Sequence, residues 1–466
     1  MLLSKKYFFQ IFFIFVITKS SFIFASPLDL QDVIRSAQEH HPSIKASSTE
    51  VEAATAELQS AEGGFDPTLK VATSDYITGN YTGGYLDASI EQPTSLYGTK
   101  FIAGYRKSGG DFPVYYAEQE TQNDGEVRAG VEVPVLRDGE VDRRRTNLER
   151  AKIQSTIGNA SLLQRRIEIT RGAKSTFYDW IAAGKKLSIQ KEYLSVTKKR
   201  QQQLSQRQVK GDLAQFDVID NERTVLQRNA LVIQAERILQ QASYELSLFY
   251  RSDLGQPMIP SQEIIPSDLI VPSIKPIIDF DEQLHKAYLS RPDLIRLKQQ
   301  KEQNTLELRL ADNQLLPRLD LQVAAAQDFG VMEENRDEFE LRGGVKFEVP
   351  LFNRVAIGRK KTLEAKDKEL TFLISFLQDR IKADLKDVIS ALNQNRERIL
   401  MSSKEYTIAQ EVESGERERF FHGDSNLIFV NLREQTTADA AIRVVDAKLD
   451  FLKAQASFDA ILGKDY

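Results

Sequence analysis

The sequence predicts a mainly α-helical protein with a membrane-spanning β-barrel portion, built from one unit written twice. Three observations carry this. Two proline-free polar stretches of about 70 residues would each make a helix of roughly 100 Å. Short strands alternate an apolar with a charged face. The same landmarks recur in the same order.

The repeat is read first. At an offset of 250, Pro42 matches Pro292, Glu52 matches Glu302, Thr55 matches Thr305, and Glu57-Leu58 matches Glu307-Leu308. Ala61 and Ala311, Pro67 and Pro317, and Leu69 and Leu319 continue the register. Further on, Val131-Glu132-Val133-Pro134-Val135 answers Phe347-Glu348-Val349-Pro350-Leu351, with the prolines 216 apart. Nine residues beyond each proline stands a basic triplet, Arg143-Arg144-Arg145 and Arg359-Lys360-Lys361. Lys210-Gly211-Asp212 answers His422-Gly423-Asp424 at an offset of 212. These matches bound a first unit at 26–254 and a second at 279–466. Between them, 255–278 carries five prolines and reads as a linker.

Each unit is then read in order. A helix is expected near 29–62 and again near 279–315. Amphipathic strands follow, such as Val127, Ala129, Val131 and Val133 alternating with Arg128, Gly130 and Glu132. Leu319, Leu321 and Val323 alternate with Asp320 and Gln322 in the same way. The long helices run to tips at Gly211 and Gly423, and returning helices extend to Arg251 and Leu462. In the last of these, Ala438, Ala441, Val445, Leu449, Leu452 and Ala456 fall three and four apart, the seam of close-packed rods. Four strands per chain cannot close a barrel, since the smallest has eight, so closure is expected through oligomerisation.

One stretch breaks the symmetry. Pro67 to Pro134 spans 67 residues but Pro317 to Pro350 only 33, and the excess holds Leu86, Ala88, Ile90 and Phe101, Ala103, Tyr105 around a turn at Pro93 to Gly98. It is either an external hairpin or extra barrel strands; the external hairpin is the preferred expectation.

Composition bounds the rest. The first 25 residues carry Lys5 and Lys6 before an apolar run and end in Phe24-Ala25, the pattern of a secretory signal. No later stretch reaches the ~20 apolar residues of a transmembrane helix. The chain has no cysteine, hence no disulfide. Its net charge of −5 makes nucleic acid an unsuitable main partner. Only His40, His41, His285 and His422 are present, and no zinc, nucleotide or nucleophile motif appears, so no enzyme activity, metal or cofactor is expected. A periplasmic adaptor or coiled-coil scaffold is the alternative, since it too would show a long hairpin.

Taken in order, these elements resemble the TolC family of outer-membrane efflux proteins over essentially the whole exported chain. The resemblance implies a homotrimer with a twelve-stranded barrel in outer-membrane lipid and a periplasmic helical tunnel. It also implies contact with a periplasmic adaptor (membrane fusion) protein and an inner-membrane pump. On the matching positions, Gly211, Asp212, Gly423 and Asp424 would form adaptor-contact tips. Asp217 and Asp220, with Phe429, Leu432 and Arg433 at the corresponding place in the second unit, would form the periplasmic gate. Arg143, Arg144, Arg145, Arg359, Lys360 and Lys361 would lie near lipid headgroups, where positive charge is favoured by about 1 kcal/mol per residue.

Overall fold

The structure is a computed structural model that describes residues 26–211, 214–272, 279–331 and 339–464. The expected signal at 1–25, the end of the linker at 273–278 and tip residue Asp212 lie outside the described residues.

The chain opens with α1 (Leu30–His40) and α2 (Pro42–Glu62), followed by β1 (Thr68–Asp75), β2 (Gly84–Pro93), β3 (Lys100–Gly109) and β4 (Gly125–Pro134). Then come α3 (Arg143–Val209) and α4 (Gln215–Ser247). The order recurs with α5 (Phe280–Ser290), α6 (Pro292–Asn313), β5 (Arg318–Phe329), β6 (Glu340–Glu348), α7 (Arg354–His422) and α8 (Leu427–Ile461).

The helices expected near 29–62 and 279–315 are each two helices. Pro42 and Pro292 take the first helical position, where a missing N–H costs nothing, and force the preceding residue out of the helical region. His41 (φ −71°, ψ 126°) and Arg291 (φ −69°, ψ 119°) are extended, at the same place in both units.

At 67 and 69 residues, α3 and α7 are rods of about 100 Å. Each has a partner in two parts: α4 with α1 and α2 lie along α3, while α8 with α5 and α6 lie along α7. Lateral contacts of α3 with α6 and α8 join the two halves. The seam expected in α8 is real, with Ala438, Ala441, Val445, Leu452 and Ala456 all buried.

The core is an elongated stripe where helices cross midway. Trp180 of α3 is fully buried beside Phe177, and its indole N–H donates to Ser243 Oγ of α4 at 3.1 Å. The described part of the linker packs onto this belt. Leu269 is buried, Ile265 lies over Gly184, Leu28 N–H donates to Ile264 O (2.9 Å), and Lys448 pairs with Asp268 (2.6 Å).

All six strands of the described residues form one antiparallel sheet in sequence order, β1-β2-β3-β4-β5-β6. This corrects two expectations: the described residues carry six strands rather than four, and the extra hairpin is part of the sheet rather than external to it. Its turn sits at the helix end, where Tyr97 Oη donates to Val135 O at 3.4 Å.

The register runs one apolar rung across every strand, Leu69-Ile90-Ala103-Ala129-Ala325-Leu341. The next face carries Ala72-Asp87-Arg106-Glu126-Asp328. On that charged side Asp87 accepts from Arg106 (2.9 Å) and from Arg128, while Glu132 pairs with Lys100 (3.0 Å) and Arg318 (3.5 Å). The apolar side is bare: Val71, Val323 and Leu341 are 62%, 47% and 68% exposed. A bare apolar sheet face of this extent marks a surface that is covered by something else. Among the described residues no helix is long and apolar enough to cross a membrane.

Candidate functional site: the helical tip

The long helices end at one extremity, and glycine ends them for a backbone reason. Gly211 (φ +82°) and Gly423 (φ +84°) are left-handed, a region that β-carbon-bearing residues enter at a cost of about 1–2 kcal/mol. Gly423 caps α7 with its N–H on Phe420 O (3.1 Å), and Asp424 N–H follows onto Arg419 O (2.9 Å). A β-carbon at either glycine would meet nothing within 4 Å, so within the chain it is conformation and not space that selects glycine. Gly423→Ala is therefore expected to cost about 1–2 kcal/mol, confined to the tip. Hydrogen exchange should show faster exchange around 419–427 and none in the belt around Trp180.

The expected gate residues stand on the first turns of the returning helices. Asp217 and Asp220 are half-buried on α4, and Asp220 is already engaged by Arg223 at 3.0 Å. Phe429 and Leu432 on α8 are 48% and 50% exposed. Asn426 caps α8 by accepting from Phe429 N–H at 3.2 Å, which fixes where the Phe429 ring leaves the helix. Arg433 lies 3.8 Å from Glu416 of α7.

Behind them lies a cluster that the sequence did not reveal. Glu434 of α8 is fully buried and takes Arg200 of α3, Arg228 of α4 (3.0 Å) and Arg417 of α7 (2.9 Å), so one carboxylate ties all four helices of the tip. Arg200 also donates to Asn431 Oδ1 (2.7 Å), Arg228 to Tyr193 O (3.0 Å), and Arg417 pairs with Glu413 (2.6 Å). Burial pushes the Glu434 carboxyl up, but hydrogen bonding from Arg200 and the charges of Arg200, Arg228 and Arg417 outweigh it and hold the group below its ordinary value. Burial likewise pushes the Tyr193 phenol well above its usual range, reinforced by Glu413, so it stays a neutral donor. No spacing rule joins positions 200, 228, 417 and 434; helix packing alone brings them together.

The basic triplets are split in use. Arg145 is held by Asp142 (2.5 Å) and by Gly139 O, Arg359 by Glu307, and Lys360 by Asp312 (2.7 Å). Arg143, Arg144 and Lys361 are exposed. The first triplet opens α3, whereas the second lies in the second turn of α7.

Comparison with known proteins bears on the whole arrangement. Residues 33–249 match the family model described as outer membrane efflux protein. A search of curated protein sequences finds no match. Among solved structures, the outer-membrane channel OprN superposes with a TM-score of 0.68 at 15% identity, over 93% of this chain and 89% of that one. The Campylobacter jejuni CmeC outer membrane channel gives 0.66 at 12%, over 94% and 86%. The open state of the Neisseria gonorrhoeae MtrE outer membrane channel gives 0.64 at 15%, over 94% and 89%. At such identities the likeness is one of fold, and it extends through the second unit, beyond the reach of the family model. In its first unit the chain matches the outer membrane efflux protein family, and along its length its fold is similar to that of TolC-type outer-membrane channels.

Proposed function

We propose that the chain forms one third of a trimeric exit duct that takes solutes from an inner-membrane pump, through a periplasmic helical tunnel, to the exterior. The observation that carries this is the sheet: one bare apolar face, one ion-paired face, and two outer strands, β1 and β6, each with one free edge. Lipid does not tolerate an unpaired strand edge, so such a sheet must close on itself or on copies. Three copies closing edge to edge would put the charged side on a wet lumen and the apolar side on lipid.

Each unit, 26–254 and 279–466, is one copy of an ancestral half, joined by 255–278. The tips at Gly211, Asp212, Gly423 and Asp424 meet the periplasmic adaptor; of these, Gly211, Gly423 and Asp424 are exposed. Asp217, Asp220, Phe429, Leu432 and Arg433 line the constriction, backed by the Glu434 cluster. The exposed Arg143, Arg144 and Lys361 face phosphate headgroups at the periplasmic rim.

Fractionation and co-purification test the duct. Recovery from outer membranes only with detergent, and capture by a tagged adaptor and pump, is the expected outcome; recovery in soluble periplasm would favour a scaffold and end the proposal. Phe429→Ala is expected to raise single-channel conductance in planar bilayers, because the largest apolar ring at the constriction is removed. Unchanged conductance would take Phe429 out of the gate.

A further inference from the structure

We infer that the first unit carries its strand pair twice, as β1–β2 and β3–β4, with the β2–β3 turn joining the copies, so that each chain supplies three hairpins to the wall. The closed trimer then has eighteen strands, three times six, in place of twelve. This rests on the trimeric channel proposed above and concerns how its wall is built.

The first support is in the residues. Each strand that descends toward the helices ends in a Glu-x-Pro pattern: Glu91-Gln92-Pro93 on β2, Glu132-Val133-Pro134 on β4, and Glu348-Val349-Pro350 at the end of β6. Proline suits such ends because it stops the ladder. In the first two, a glycine follows five residues on, Gly98 and Gly139.

The backbone repeats as well. Among the described residues only two non-glycine residues have positive φ, Tyr97 (50°) and Asp138 (69°), and each lies four residues after its proline. A left-handed non-glycine residue is uncommon, so the same exception at the same place in two turns marks one turn used twice. The turns stand side by side, with Gly98 packed against Asp138 O.

Packing then puts the hairpin in the wall. β2 pairs with β3 over ten residues, and both continue the apolar rung and the charged face of their neighbours. Arg128 of β4 crosses above Gly104 of β3 to reach Asp87 of β2. A β-carbon at Gly104 would stand 3.2 Å from Arg128 Nε, so the missing side chain opens that path. A hairpin projecting from the wall into water would have no use for Leu86, Ile90 and Phe101 on one side, each about half exposed.

The partner that covers the free edges is a second copy of this chain. β1 and β6 are the outermost strands, exposed along their whole length on both faces, and each has the two-sided pattern of an interior strand. Pairing β6 of one chain with β1 of the next adds a like rung at each seam. Barrel width grows roughly in proportion to strand number, so the bore would be about half again that of a twelve-stranded wall. The tunnel below keeps four helices per chain at each level, so the duct widens where it enters the membrane.

The chain has no cysteine, which makes single-cysteine scanning clean. Ala88→Cys on β2, Ala103→Cys on β3 and Ala325→Cys on β5 share the apolar side; Ser89→Cys is its charged-side neighbour, and Leu96→Cys marks the turn. In outer membranes, the three alanine positions should lose labelling by a charged maleimide relative to Leu96→Cys. A bimane at each should be quenched by nitroxide-labelled lipid, while Ser89→Cys should label from water. If 88 and 103 label from water while 325 stays in lipid, the hairpin lies outside the wall and the inference falls, with the channel intact. If 325 also labels from water, the channel wall itself is wrong and the inference falls with it. Should a variant fail to assemble, end-on images of the unmodified trimer in nanodiscs read the strand number directly, and twelve would overturn it.

Discussion

Glu434→Ala is expected to unfasten the tip. The carboxylate is buried and shared by guanidiniums from α3, α4 and α7, so removing it leaves Arg200 and Arg228 buried, unpaired and mutually repulsive. Breaking a buried ion network from one side costs about 3–5 kcal/mol. Because the belt around Trp180 is far along the helices, the loss should appear as opening of the tip rather than global unfolding. Higher conductance in planar bilayers and faster hydrogen exchange around 197–204 and 428–436 are the measurements. Arg200→Ala in the Glu434→Ala background should recover part of the loss, since one orphaned charge disappears.

The same carboxylate sets a pH dependence. Its folded pKa is lowered, so its contribution is fully present above the ordinary glutamate value of 4.5 and is lost as pH falls through the lowered folded value. The tip should stay fastened at neutral pH and loosen only in strongly acid solution. Glu434→Gln should remove that acid step.

Val323→Arg is expected to have the other large effect. Val323 is central in β5 on the bare apolar face, opposite Val131 and Gly343. An arginine on the lipid face near the midplane costs about 2–4 kcal/mol. Poor recovery of assembled protein from outer membranes and a lower temperature of trimer dissociation on gels would report it. Gln322→Arg, one residue away on the charged face, should assemble normally because Glu132 stands within reach of that position. Equal effects of the two would mean the faces have been assigned wrongly.

Several features were legible because they depend on local spacing. The proline-free stretches became α3 and α7, and both tip glycines are left-handed for the reason that made them conspicuous. The three-and-four spacing in α8 became a buried seam. The breaks at Pro42 and Pro292 were also in plain view, as matched prolines, but were read as landmarks rather than helix starts.

Two things were misjudged or missed because they depend on neighbours distant in sequence. The strands at 84–109 look the same whether they leave the sheet or join it; only pairing with β1 and β4 decides, and pairing is not a local property. Glu434 reads as one more helical charge until Arg200, Arg228 and Arg417 converge on it. The basic triplets show a smaller case, since half their members are taken by acids from elsewhere in the fold.

The amino-acid order by itself determined the rods, their tips and the two-faced strands, since each follows from periodicity or backbone preference within a few residues. Tertiary structure alone decided that six strands form one sheet and that a single carboxylate fastens four helices at the tip. Strand partners and buried ion pairs are chosen by packing across hundreds of residues, where local pattern has no hold.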